Sequence, residues 1–338
     1  MDLKTICELP GISGREEIVR KAIYEECVSK LGKEKVTIDR MGNVIAHLDG
    51  KNPEAPHVMV AAHMDEVGLM AISATEDGLL RVYAIGGVDP RVLVSKRVKV
   101  GYGENALNGV IGAMAIHQQT AEDRKRVLGV DQLYVDIGAK DKAEAEAKAP
   151  IGTPITFDTP YRVFGDNKVL VKALDDRVAC YNLLRLLDCT PAGNTDLVFT
   201  SQEEVGCRGA YGAAFRLNPD VAIVLEGTSA NDVGDVPEHQ QVCPLGKGVA
   251  ISFMDRASIA QPEMFRGMMQ LAEEAGIPHQ VKMAVAGGND SGPAQTARTG
   301  ALTCVLSVPC RYIHSPVTVC DLSDVDAQYQ LVKAFLEK

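Results

Sequence analysis

The chain contains no tryptophan, and Phe, Tyr and Trp together supply only 5% of its 338 residues. That scarcity weighs against a glycosidase, which works through two metal-free carboxylates and commonly seats its sugar rings on aromatic platforms. No Cys-x-x-Cys pair occurs among Cys7, Cys27, Cys180, Cys189, Cys207, Cys243, Cys304, Cys310 and Cys320, so the spacing of a thiolate metal site is missing. An odd number of cysteines without framework spacing suits reduced thiols in a cytoplasmic protein. The first residues, MDLKTICELPGIS, have neither the basic start nor the apolar core of a secretory signal. No apolar run approaches the roughly 18–20 residues of a membrane span. Basic charge is also short: 35 Lys and Arg stand against 45 Asp and Glu, a net charge of −10. Nucleic acid is thereby excluded as the main partner, because phosphate backbones call for a basic stripe.

What is present is ordinary for a globular chain, 46% apolar and 24% charged, with length for about two domains. Residues 14–31 predict a helix with an apolar stripe at Ile18, Ala22, Cys27 and Leu31. NVIAHLDG (43–50) and HVMVAAHMDE (57–66) read as strands. After Gly68 the texture changes to short alternating runs, LLRVYAI, RVKVGYG, NGVIGAMAI and QLYVDIGA, separated by Gly, Asp and Pro, the pattern of a small all-β domain. A polar stretch at 140–152 allows a short helix, and 154–162 gives the last β segment. From Asn167 onward helices at 173–188, 263–275, 294–300 and 323–337 alternate with strands at 195–204, 221–227, 279–286 and 301–309. Continuous apolar strands alternating with helices imply an α/β fold, a mostly parallel sheet flanked by helices. The expected organisation is an α/β domain formed by 1–67 and 163–338, interrupted by an inserted β barrel-like domain at 68–162.

Ligands of open α/β sheets bind beyond the carboxyl ends of the strands. There the sequence puts His63 and Asp65 after one strand, Glu203 and Glu204 after another, Glu226 at the end of a third and His314 beyond a fourth. Asp175 and Asp176 stand at the mouth of a helix. Singly, each has a plainer explanation: a core histidine, a turn aspartate, a helix cap, a wet strand end. Glu226 is harder to dismiss, since it closes the apolar run VAIVL and a lone buried acid is costly. Together they have the composition of a dinuclear metal site, because zinc, cobalt or manganese accept imidazole nitrogen and carboxylate oxygen. The spacing of His63 and Asp65 fits a metal-bound histidine backed by a carboxylate. His47, His57, His117, His239 and His279 show no carboxylate at a telling position. In TSQEEVGC (200–207) adjacent residues of a strand would face apart, so the chain must bend at Gln202 for Glu203 and Glu204 to serve one centre.

AAHMDEVGLM (61–70), ALDDR (173–177), SQEEVGCRGA (201–210), VLEGTSAND (224–232), GGNDSG (287–292) and VPCRYIHS (308–315), in this order, resemble the M42 metallo-aminopeptidases. That family includes glutamyl aminopeptidases and proteins once labelled endoglucanase or cellulase M. The resemblance implies two divalent metal ions per subunit and removal of N-terminal residues from short peptides. It implies that His63 and Glu226 ligate one ion, Glu204 and His314 the other, and that Asp175 bridges both. Glu203 is then the general base and Asp65 orients His63. It further implies a homo-oligomer, dimers joined through the inserted domain and assembled into a dodecamer. Two departures stand out: Glu226 where relatives often carry Asp, and Asn289 where they often carry Thr. A related dinuclear carboxypeptidase or deacylase, or a non-enzymatic assembly protein, are the alternative readings.

Overall fold

The computed structural model describes all 338 residues. The chain opens with helices α1 (Leu3–Glu8) and α2 (Glu17–Leu31), then strands β1 (Val36–Ile38), β2 (Val44–Leu48) and β3 (Val58–His63). In α2 the buried row is Val19, Ile23 and Cys27, an i, i+4 row adjacent to the expected stripe; Ile18 and Ala22 sit at its margin, only partly covered.

Next come β4 (Gly68–Ala74), β5 (Leu80–Ile85), β6 (Arg97–Val100), β7 (Leu107–Gly112), β8 (Tyr134–Asp136), helix α3 (Lys142–Lys148) and β9 (Pro154–Phe157). The six strands close into a barrel in the order β4-β5-β8-β7-β6-β9. Alternation fills its interior, with Leu80 and Val82 from β5 and Val98 and Val100 from β6. The short helix at 140–152 is present as α3, capped by Asp141, whose carboxylate accepts the Glu144 N–H at 2.9 Å. Strand β4 has no clean alternation to read: its pairing with β5 shifts between Ala71 and Ser73, as at a bulge.

The chain returns through β10 (Arg162–Phe164) and β11 (Lys168–Val171). There follow α4 (Leu174–Leu186), β12 (Thr195–Thr200), α5 (Arg208–Leu217), β13 (Val221–Ser229), β14 (Val249–Ser252), α6 (Pro262–Glu274), β15 (His279–Val281), α7 (Ser291–Thr296), β16 (Leu302–Arg311), β17 (Thr318–Asp321) and α8 (Leu322–Glu337). The large sheet runs β1-β2-β12-β3-β13-β16-β17-β11-β10, with β14 and β15 branching from β16. Its four central strands, β12, β3, β13 and β16, are parallel; the flanks are antiparallel. The parallel character of this α/β sheet is therefore concentrated at its centre, where helices cover both faces. The larger core lies on the α4 and α8 side, and a smaller one lies beneath α5 and α7.

Three elements differ from the sequence expectation in ways that matter. Helix α5 has no apolar stripe of large residues; it buries Gly209, Ala210, Ala213 and Ala214. A Cβ on Gly209 would fall 2.3 Å from Asn43 Oδ1 and 2.5 Å from the Ser201 carbonyl, so glycine lets this helix approach the loop that carries the acid pair. Strand β15 stops at Val281 rather than 286. Helix α7 begins at Ser291, earlier than the expected 294, and ends at Thr296.

Candidate active site

The parallel register places His63, the last residue of β3, opposite Thr200, the last of β12. Beyond that edge the chemistry gathers. His63 is buried, 1% exposed, with its Nε2 3.3 Å from Asp175 Oδ1, 3.8 Å from Glu226 Oε2 and 3.9 Å from Glu203 Oε2. His314, beyond β16, has its Nε2 3.2 Å from Glu204 Oε2 and 3.5 Å from Asp175 Oδ2. Asp175 thus presents one oxygen to each histidine. His63, Asp175 and Glu226 form one group of possible ligands and Asp175, Glu204 and His314 another, with the ligand atoms of each group within 4.8 Å of one another. All the sequence-derived candidates are brought to one place. Glu226, however, lies inside β13, which continues to Ser229, rather than at a strand end.

The acid pair is shaped by the bend after β12. Strand β12 ends at Thr200, and Gln202 takes a left-handed φ of 56°. The carboxylate of Asp65 then accepts the backbone N–H of Glu203 at 3.0 Å and of Glu204 at 3.2 Å, and the Ser13 hydroxyl at 2.6 Å. Toward His63 it is chiefly the Asp65 main-chain carbonyl, 3.1 Å from Nδ1, that stands as acceptor; the carboxylate Oδ1 is 3.4 Å away. Asp65 therefore fixes three groups at once. The peptide between Asp175 and Asp176 is cis, and Asp176 accepts the His63 N–H at 3.2 Å. Arg177, fully buried, donates to the carbonyls of Met64 (2.7 Å), Ile6 (2.7 Å) and Leu9 (3.0 Å), tying the N-terminal segment beneath the site.

Burial dominates the electrostatics. It pushes Glu203 up to about 8, with His63 opposing and Asp290 and Glu204 reinforcing. It pushes Glu204 up to about 7 and Glu226 well above the usual carboxylate range. Asp175 goes the other way: burial raises it, but His314 and His63 outweigh that and hold it below the usual range. Asp175 Oδ1, Glu204 Oε1 and Glu226 Oε1 are buried without a hydrogen-bond partner. Orphaned buried carboxylate oxygens are costly, and here they converge with two imidazoles. This donor set fits divalent cations, which would satisfy the oxygens and neutralise the clustered acid.

Sequence reasoning missed several neighbours. Cys207 donates its thiol to Glu203 Oε1 at 3.3 Å. Asp290, fully buried and pushed up to about 6 by burial, accepts the Thr200 hydroxyl at 2.5 Å; the only signal was its place in GGNDSG. Asn289, one of the two departures from the family pattern, borders the cleft but commits its side chain to Asp255 (3.1 Å) and the Ser291 N–H (3.0 Å). His47 and His57 do have an acid: both meet Asp196, at 2.9 and 2.8 Å. For Asp196 the correction could not come from spacing, since it lies on a different segment from either histidine, but Asp49 stands two residues after His47, as Asp65 does after His63, and its Oδ1 is 3.5 Å from His47 Nε2.

Taken with its relatives, this sheet interrupted by a closed barrel belongs to a hydrolase of peptide bonds. Residues 42–331 match the family model described as M42 glutamyl aminopeptidase, and the chain belongs to that family. A curated relative, lysyl aminopeptidase from Pyrococcus furiosus, is 36% identical over 99% of this chain and 96% of its own length. Among solved structures, aminopeptidase APDkam598 from the archaeon Desulfurococcus kamchatkensis superposes with a TM-score of 0.94 at 35% identity, covering 99% of this chain and 93% of that one. The Pyrococcus horikoshii TET1 peptidase, described as able to assemble into a tetrahedron or a large octahedral shell, has a TM-score of 0.86 at 31% identity over 99% and 98%. No helix is long and apolar enough to cross a membrane.

Proposed function

We propose that the protein is a dinuclear metal-dependent aminopeptidase that releases N-terminal residues from short peptides. The observation that carries this reading is Asp175, with one oxygen toward His63 and the other toward His314. His63, Asp175 and Glu226 would hold one ion, and Asp175, Glu204 and His314 the second; zinc or cobalt suit this donor set, and manganese is compatible with it. Bound ions would supply Lewis acidity at the scissile carbonyl and lower the pKa of a water.

Glu203 is the general base. It stands beside the two ligand groups and belongs to neither, grouping instead with Cys207 and Asp290; its Oε1 accepts the Cys207 thiol, and its Oε2, on the His63 side, is the oxygen that takes the proton from the attacking water and returns it to the departing amine. Asp65 is its positioning residue, gripping the backbone of both Glu203 and Glu204. Glu226 is one methylene longer than the Asp that relatives often carry, and its Oε2 lies 3.8 Å from His63 Nε2.

The inserted domain, 68–162, serves as the dimerisation unit, and dimers build a dodecamer in the cytoplasm. Support comes from the dodecamer described for the solved PhTET1-12s structure and from large apolar side chains left open on the insert, including Tyr83, Met114, Ile116 and Val127.

The test uses metal-reloaded protein on matched peptides with free and blocked N-termini. Free-amine peptides are expected to be cleaved and blocked ones spared, and chelator is expected to abolish turnover. Cleavage of blocked peptides from the other end would favour a carboxypeptidase, and full activity in chelator would end the metal reading.

A further inference from the structure

A third group of possible ligands lies beside the other two: Glu203, Cys207 and Asp290, whose donor atoms fall within 4.8 Å of one another. Paired cysteines mark the usual thiolate site in a sequence, and one sulfur set between two carboxylates leaves no such mark. The turn after β12 builds the first pair. The Cys207 N–H donates to the Glu203 carbonyl at 2.8 Å, and the Cys207 Sγ meets Glu203 Oε1 at 3.3 Å. Asp290 comes from another segment, as the residue that opens α7. Neither ligand group of the two-ion centre uses Cys207 or Asp290.

Asp290 carries the independent sign of a missing partner. It is only 1% exposed. Its Oδ2 accepts the Thr200 hydroxyl at 2.5 Å, while its Oδ1 is buried with no hydrogen-bond partner. Elsewhere this fold gives a buried acid a cation: Glu66 takes the Lys172 ammonium at 2.7 Å. A carboxylate oxygen left alone in the interior is costly, and a metal ion would satisfy it. Glu203 and Cys207 both line the cleft of about 810 Å³ over the site, so an ion can enter from solvent. Cys207 is also the one cysteine of the nine that is not buried.

We infer that Glu203, Cys207 and Asp290 form a third cation site, apart from the two-ion centre, that takes zinc or cobalt and switches the enzyme off by occupying its base. The inhibitory role rests on the aminopeptidase reading given above; the cation site does not. One sulfur with two oxygens suits a borderline cation and not magnesium or calcium, which prefer oxygen alone. Binding replaces the thiol proton, released to solvent, with a sulfur–metal bond. An ion held by Glu203 occupies the lone pairs that would accept the proton of the attacking water. The same element then activates at two equivalents and inhibits beyond them, the two effects separated by affinity alone.

The test loads the full-length protein with two equivalents of cobalt and then titrates more. Bound metal is followed by equilibrium dialysis, the site by its thiolate-to-cobalt charge-transfer band, and activity on a free-amine peptide. A third equivalent is expected to bind as the band rises and turnover falls. Cys207→Ala should stop at two equivalents, show no band, and need at least about 10-fold more cobalt for half-inhibition of its own starting rate. Asp290→Asn keeps an oxygen for Thr200 and removes the charge, and should weaken the band and shift inhibition in the same direction. The inference is overturned by the absence of a third equivalent, by a third equivalent without the band, or by unchanged inhibition in Cys207→Ala. A band already complete at two equivalents also overturns it, since Cys207 would then belong to the main centre. Binding and band without cleavage of any peptide would remove the aminopeptidase reading and the inhibitory role together, and leave the cation site standing.

Discussion

The two ligand groups share Asp175 and are otherwise built differently. The His63 group is held by the sheet: His63 closes β3, Glu226 lies within β13, and both are nearly inaccessible. The His314 group is held by loops: Glu204 follows the bend after β12, and His314 takes a left-handed φ of 57° in the connection from β16 to β17, with 40% of its side chain exposed. Strand ladders fix one group to the accuracy of a core, whereas local turns fix the other. The difference teaches that the proposed two-ion centre would have a structural half and an adjustable half.

Glu203, which belongs to neither half, gives the largest expected effect. Glu203→Gln should cut turnover by about 10²- to 10⁴-fold while both equivalents of metal remain, read by steady-state kinetics beside elemental analysis. Loss of metal instead would make Glu203 a ligand and merge the halves. The comparison itself is tested by the two histidines. His314→Ala should retain close to one equivalent of metal with little change in Tm. His63→Ala should lose the enclosed ion and destabilise the fold, because it strips buried carboxylates of their cationic neighbour. Equal metal loss and equal Tm change would erase the distinction.

The smallest effect lies at the opposite edge of the same strands, where Asp196 joins His47 and His57. Its hydrogen bond to His57 outweighs burial and raises that imidazole above 6.5. A raised histidine stabilises the fold fully below its unfolded value, and the benefit is lost as pH rises through the folded one. Asp196→Asn should therefore lower Tm by roughly 1–2 °C near pH 6, the pair being partly exposed, with the difference shrinking in alkaline buffer. A gap that widens with pH would contradict the pairing.

The enclosed half was legible in the sequence because strands announce their ends: VMVAAH stops on an imidazole, and VAIVLEG carries an acid no core would accept unpaired. The α/β domain was legible for the same reason, through its long apolar runs. The barrel was readable as a class but not strand by strand, since β4 is bulged. Helix α5 hid because its packing relies on Gly and Ala, which have no apolar stripe to show. Strands β11 and β17 are only four residues each and gain their meaning from pairing with one another. The grip of the Asp65 carboxylate on the backbone of Glu203 and Glu204 joins residues far apart in sequence, and no local pattern records it.

The early end of β15 has one more consequence. Strand pairing reaches Val281 and goes no further, so the residues from Ala284 to Gly288 owe no ladder to the sheet beneath the acids. Substitutions at Ala284 to Ala286 leave the reactive floor untouched, whereas Gly287 holds a left-handed φ of 68° and a Cβ on Gly288 would fall 2.8 Å from that of Ala257. A lineage can drift from one diet of peptides to another along this strip, by single steps, without passing through a form that cannot fold.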